Sequence, residues 1–343
     1  MKGEVGFVFG IAGCQLGKNV RGICGGRRLI QGVNVGRVAV RMVDGDGGES
    51  EEGEEPRKVV STVRIPLFGK IMGGEAAVDE GTEEDLMPGV PLRMECGFGF
   101  YAHPKKQTGE DAFFIEGCSV GVFDGVTGVQ AIVGKVDPRL FPQDLARITA
   151  DKVRVLGPQS VVKALIEAAD EVKTPGASTA VVVGMDDKAR VFGIHLGDSG
   201  VILVRDGKIA FRTTEQMKSF GAPYQLGSKS PYNVLMGQNI QFKAKENDWI
   251  IIASDGLFDN VFDQTIVDVV QAKKQEGAFA VAETLGVMAW ENCQDTKIAT
   301  PYAAAARKAG KSHSGGKLDD VTVVACRVAR IPDWTPVSIF SDF

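Results

Sequence analysis

Paired cysteines are the first thing this sequence lacks. Its six cysteines (Cys14, Cys24, Cys96, Cys118, Cys293 and Cys326) include no CxxC pair. That argues against a disulfide scaffold or a thiolate zinc site and fits a reducing compartment. The three histidines, His103, His195 and His313, are too few and too dispersed for a His-rich metal centre. No apolar stretch approaches the roughly 18–20 residues of a membrane span. No Cys-x5-Arg loop is present to carry covalent cysteine chemistry. A net charge of -5 gives no reason to expect nucleic acid or anionic membrane as a partner. What remains is a soluble globular chain that must bind any metal mainly through carboxylates.

The 343 residues allow one large domain or two ordinary ones, and 44% hydrophobic with 24% charged residues suits a packed core. The start differs from the rest. Residues 1–43 hold Lys2, Lys18, Arg21, Arg27, Arg28, Arg37 and Arg41 against a single acid, Glu4. An acid-poor, Arg-containing start reads as an organelle transit segment or as a disordered tail; it has no serine, and its glycines weaken an amphipathic helix. "DGDGGESEEGEE" (44–55) then reverses the charge and reads as a solvated linker. The expected division is an extension at 1–57 and a folded domain at 58–343, with its core at about 92–330.

Within the core the chain alternates. "DAFFIEGCSVGVFDG" (111–125) reads as two β segments broken at Glu116-Gly117. Residues 142–156 have helical spacing after a Pro, with Asp144 as a cap, and 158–173 form an amphipathic helix capped by Ser160. Residues 178–213 are β-rich runs joined by "DDK", "GDSG" and "RDGK", which reads as a meander of antiparallel neighbours. A buried strand at "NDWIIIASDGLFD" precedes helices near 263–274, 278–291 and 301–309, and "DDVTVVACRV" (319–328) closes the core. Strands cluster, then helices, then a strand returns: an α+β layout with helices covering the outer faces of antiparallel sheets.

Acids stand at the ends of the apolar runs: Glu110 and Asp111 before "AFFI", Asp124 after "GVF", Asp198 after "GIHLG", Asp255 after "IIIAS", and Asp319 and Asp320 before "VTVV". A single Asp-Gly is most often a turn, and "RDGK" (205–208) reads as one. Several carboxylates converging on one point repel one another, and bound cations relieve that. Oxygen-only ligands select Mg²⁺ or Mn²⁺, ions suited to phosphoryl chemistry, where two metals polarise the phosphoryl group and activate water. Gly125 and Gly256, each following an Asp, let the backbone turn sharply and approach an ion.

In order, "GEDAFF", "VFDGVTG", "GASTAVVV", "HLGDSG", "ASDGLFDN" and "LDDVTVV" resemble the metal-dependent Ser/Thr protein phosphatases of the 2C type over roughly residues 92–330. "SFGAPYQLG" and "GGKLDDVTV" resemble the compact branch associated with mitochondria. The resemblance implies two packed antiparallel β-sheets flanked by helices, a four-layer α-β-β-α sandwich. It implies two metal ions bridged by Asp124, with the Gly125 carbonyl as a further ligand. Asp255 and Asp319 would complete one shell, with Asp320 beside them; Glu110 and Asp111 would hold the other ion through waters, and Asp198 a third, weaker one. The substrates would be phosphorylated proteins, the enzyme monomeric, and the compartment mitochondrial rather than cytoplasmic.

Two departures accompany the resemblance. Where many members carry a basic residue for substrate phosphate, this chain has Lys106, which lacks a guanidinium fork. Where many have a histidine two residues after the bridging acid, it has Val126, so water on the metal or His103 must supply the proton. His195 lies inside a β run and reads as a core residue. Residues 216–233 read as a flap that helps to choose the substrate. The competing reading is a pseudophosphatase that binds partners without turnover; the intact acids argue against it.

Overall fold

The computed structural model describes residues 89–341, apart from 107, 130–133 and 135, and the backbone of two short paired strands, β1 (Ala39–Arg41) and β2 (Thr62–Arg64). Apart from those strands, the expected extension 1–57 and the first part of the expected catalytic domain, 58–88, lie outside the described residues.

Two antiparallel sheets carry the fold. One has five strands, in the order β10 (Lys208–Arg212), β9 (Gly200–Arg205), β15 (Trp249–Ala253), β16 (Val321–Arg330) and β3 (Leu92–Tyr101). The other has six: β14 (Gln238–Lys243), β8 (Arg190–Leu196), β7 (Ala180–Met185), β5 (Ser119–Phe123), β4 (Ala112–Glu116) and β17 (Ser338–Phe340).

Strand periodicity sorts the apolar residues into layers. In β15, Ile250 and Ile252 join Phe113, Val122 and Val183 of the other sheet in the central core. Their alternates Trp249, Ile251 and Ala253 pack under α4 (Asp263–Lys273) and α5 (Ala278–Gln294), beside Ile266, Val270, Val281 and Leu285. On the far side Ala112, Phe114 and Val182 pack under α1 (Leu140–Leu156) and α2 (Val161–Glu171), against Leu145, Val153, Val161 and Leu165. Both faces of each sheet are covered, which is why "WIIIA" and "AVVV" read as unbroken apolar runs. The result is the expected α-β-β-α sandwich.

Several local expectations need correction. The meander through 178–213 is interrupted: β7–β8 and β9–β10 pair as expected, but Gly197–Ser199 carries the chain from the six-stranded to the five-stranded sheet. Gly197 makes the crossing at φ 110°, where an added Cβ would lie 2.7 Å from the Tyr224 carbonyl oxygen. The helix α1 starts two residues before Pro142, which the first turn tolerates because its missing N–H has no intrahelical partner there. Asp144 therefore lies inside α1 and caps nothing; it accepts from Thr174 and Arg147 instead. Ser160 does precede α2, but its hydroxyl makes no capping bond. The buried stripe of α2 is Val161, Ala164, Leu165 and Ala168, with Val162, Ile166 and Ala169 at its half-buried margin. Two edge strands, β14 and β17, were not expected; short and partly exposed, they carry little apolar signal.

Candidate metal centre

Register brings the acids to one edge of the sandwich. In the β4–β5 hairpin Ala112 opposes Phe123, so Asp111 and Asp124 leave its open end side by side. Val122 opposes Val181 and Ala180 opposes Leu196, which sets Thr179 beside Asp124 and Asp198 just past the end of β8. In the second sheet Ala253 opposes both Gly200 and Val323, so Asp198, Asp255 and the Asp319–Asp320 pair emerge at a common end. Carboxylate oxygens of Asp124, Asp198 and Asp255 consequently lie within 4.8 Å of one another.

These acids carry more negative charge than their surroundings neutralise. Burial, reinforced by neighbouring carboxylates, raises the carboxyls of Asp111, Asp124 and Asp198 well above the ordinary range. Burial and Asp255 push Asp319 up to about 7, and Asp259 also reaches about 7 although Lys317 opposes the rise. One oxygen each of Asp111, Asp198 and Asp255 is buried without a hydrogen-bond partner among the described residues. Buried carboxylate oxygens left over in this way, grouped together, are suited to bind a cation.

Neighbouring groups hold the acids in place. Asp320 accepts the backbone N–H of His103 at 2.6 Å and of Glu110 at 2.9 Å, fixing the loop that leads into β4. Asp111 accepts the Thr322 hydroxyl at 2.7 Å. The Thr179 hydroxyl accepts the Asp124 N–H at 3.2 Å and meets the Ser199 hydroxyl at 2.7 Å, linking the Asp124 turn to the sheet crossing. Gly125 and Gly256 have ordinary φ, so the expectation of a sharp glycine turn is wrong at both. They are glycines because other backbone lies against them: a Cβ on Gly125 would overlap the Glu110 carbonyl, and one on Gly256 the Asp320 carbonyl.

No protein-family model matches the sequence. Among curated proteins it is 34% identical over 261 residues to "Probable protein phosphatase 2C 26" of Arabidopsis thaliana, covering 69% of this chain and 86% of that one. The chain belongs to the protein phosphatase 2C family. It is also 34% identical over 247 residues to "Probable protein phosphatase 2C 80" of the same plant, spanning only 59% of that longer protein. Among solved structures, the photosystem II phosphatase PBCP matches with a TM-score of 0.63 and 28% identity, over 69% of this chain and all (100%) of that one. The catalytic domain of the phosphatase PstP, solved with two manganese ions, shares the fold at a TM-score of 0.51 and 19% identity, over 69% of this chain and 99% of its own.

Within this phosphatase 2C fold, the sequence-derived site residues separate into groups. Asp124, Asp198 and Asp255 form the cluster, and Asp319 joins Asp255 through Lys317. Asp111 stands close enough to Asp124 to raise its pKa. Glu110 sits at the margin with both oxygens engaged, one by Lys106 Nζ at 2.6 Å and one by the Thr127 hydroxyl at 2.5 Å. Burial works against the charge of Lys106, but Glu110, Asp320 and Asp319 outweigh it and hold its pKa above that of a free lysine. Burial and Lys106 lower the pKa of the His103 ring, and its Nδ1 accepts the Lys105 N–H at 3.0 Å. Gly125 forms a β-bridge with Ser178, and the Val126 N–H donates to the Ala177 carbonyl at 3.0 Å. His195 is fully buried in β8, a core residue as expected.

Three participants escaped the sequence reading: Thr179, Asp259 and Lys317. Lys317 donates to Asp255, to Asp259 at 2.8 Å and to Asp319 at 3.0 Å. Its only sequence signal was a basic residue two positions before the acid pair. The donor set is all oxygen and fits hard divalent ions, Mg²⁺ or Mn²⁺.

Proposed function

We propose that this chain hydrolyses phosphoserine and phosphothreonine in phosphorylated proteins, acting as a monomer with Mg²⁺ or Mn²⁺. The observation that carries the reading is the convergence of Asp124, Asp198 and Asp255 within 4.8 Å at the sheet edge. Asp124, Asp255, Asp319 and the Gly125 carbonyl, with Asp198, Asp111 and Glu110, would hold these ions. Divalent ions there supply Lewis-acid activation of water and of the phosphoryl group.

The chain's own residues do the rest. Lys106, paired with Glu110 and 37% exposed, would offer positive charge to a substrate phosphate. Burial and Lys106 lower the His103 pKa, which makes its ring the poorer proton donor to the leaving oxygen and favours water in that role. The flap, residues 216–233, helps to choose the protein substrate. Its roots support this: Gln216 N–H donates to the Gly197 carbonyl at 2.7 Å, and β13 (Leu226–Gly227) pairs with β6 (Ala177–Ser178) beside Gly125.

The decisive experiment is Mn²⁺-dependent release of phosphate from a phosphoserine peptide, lost in Asp124→Ala. A folded wild-type chain that binds Mn²⁺ yet releases none is a binding module and not an enzyme. The proposed compartment is the mitochondrion, on the acid-poor, Arg-containing residues 1–43. A plastid is the second reading, favoured by the likeness to a photosystem II phosphatase. Imaging a reporter fused to residues 1–57 separates the two from the cytoplasm.

A further inference from the structure

Lys317 brings a positive charge into the acid cluster itself, and nothing in the proposed chemistry calls for it there. An ordinary surface lysine has a free side chain on an unconstrained loop. This one is 27% exposed, and three carboxylates surround its ammonium: Asp255, Asp259 at 2.8 Å and Asp319 at 3.0 Å. The Tyr302 ring lies 5.5 Å away, within cation–π range.

The backbone that delivers Lys317 is fixed as well. Asn260, itself buried, accepts the Lys317 N–H at 2.9 Å and donates to the Lys317 carbonyl at 3.0 Å. The Asn292 side chain of α5 donates in turn to the Asn260 carbonyl at 2.9 Å. Gly315, at φ 78°, and Gly316 pass so close to the end of α5 that a Cβ on either would overlap its backbone or that of Asp295–Thr296. The loop "SGGK" is therefore built to hold this ammonium at one point.

Two of the three acids that Lys317 holds, Asp255 and Asp319, are proposed metal ligands. Asp255 is divided: one oxygen takes the ammonium and the other is buried without a partner, and a carboxylate oxygen of Asp255 lies within 4.8 Å of those of Asp124 and Asp198. Among the described residues no other lysine or arginine pairs with Asp255, Asp259 or Asp319. A divalent ion entering the cluster thus meets a fixed positive charge on a carboxylate it must share, and like charges on one ligand oppose each other.

We propose that Lys317 is a tethered counterion, which neutralises the acid cluster while no metal is bound and lowers its affinity for divalent ions. The proposal rests on the metal-dependent reading of the site. It makes occupancy of the centre respond to divalent-ion concentration, because metal must displace or crowd a resident cation.

The test is Mn²⁺ titration by calorimetry of the wild type, Lys317→Met and Lys317→Arg, together with thermal melting with and without Mn²⁺. Lys317→Met, which keeps length but not charge, binds Mn²⁺ about tenfold or more tightly. Its metal-free form melts lower than the wild type, while the gap narrows or reverses with Mn²⁺. Lys317→Arg keeps the charge and stays within about threefold of wild-type affinity. Should Lys317→Met fold only with Mn²⁺, the metal dependence of its melting temperature still reports the affinity. Unchanged or weaker Mn²⁺ binding by Lys317→Met overturns the proposal, as does a comparable gain in Lys317→Arg. Absence of Mn²⁺ binding by the wild type would instead strike at the metal-dependent function itself.

Discussion

Replacing Gly256 with alanine sets two magnitudes of opposite sign against each other. Gly256 is the second residue of the short helix α3 (Asp255–Phe258) and has ordinary φ. On backbone preference alone, alanine there stabilises by about 1 kcal/mol. Packing says otherwise, because the new Cβ would overlap the Asp320 carbonyl oxygen by roughly 1 Å. That carbonyl cannot retreat cheaply. It adjoins the start of β16, where Ser254 N–H donates to the Thr322 carbonyl and Thr322 N–H to the Ser254 hydroxyl, each at 3.0 Å. Overpacking against fixed backbone costs about 3 kcal/mol or more, leaving a net loss of about 2 kcal/mol. The same displacement moves Asp319 and Asp320, so Mn²⁺ affinity falls by about tenfold. Urea denaturation and Mn²⁺ calorimetry read both effects. Gly128→Ala, where the nearest atom would be 3.9 Å away, is the control and stays within about 0.5 kcal/mol. A Gly256→Ala protein as stable as the wild type would refute the close-approach explanation.

Thr179→Val leaves the Asp124 N–H without its hydroxyl acceptor and separates Ser199 from the Asp124 turn; denaturation shows a loss of about 1–3 kcal/mol. His195 is pushed by burial from 6.5 down to about 4. Between those values the unfolded chain takes up a proton that the native ring refuses, so stability is fully present above pH 6.5 and falls as pH drops to about 4. The contribution is about 3 kcal/mol at most, and His195→Gln removes that part of the slope in denaturation at pH 7 and pH 4.5. His103→Ala affects phosphoserine and aryl phosphate hydrolysis in parallel. A loss confined to phosphoserine, on the order of 100-fold, would make His103 the proton donor after all.

The acids were legible because each ends a strand whose apolar run is unmistakable, and their convergence followed from antiparallel pairing. What stayed hidden was long-range. "GDSG" reads as a hairpin because short glycine links usually are; only the pairing of β9 with β15 makes it a crossing between sheets. The true reason for Gly125 and Gly256 lies in backbone more than ten residues away, at Glu110 and Asp320. Lys317 carries no sequence signal of its role, because the contacts that hold it come from Asn260 and, through it, from α5. Cys96 and Cys326, 230 residues apart, carry no pairing signal in sequence, yet they oppose each other across β3 and β16 with sulfurs 2.8 Å apart, both free thiols.

The crossing at Gly197–Ser199 has a mechanical consequence. Asp111 and Asp124 belong to one sheet and Asp255 and Asp319 to the other, so an ion held among them would rivet the two layers at their seam. The span between those carboxylates is then set by how the layers mesh in the interior, where Phe98 and Phe113 meet at 4.7 Å. Metal affinity becomes a gauge of that mesh. Substitutions deep in the sandwich, touching no ligand, register at the rim as a looser grip on the ion.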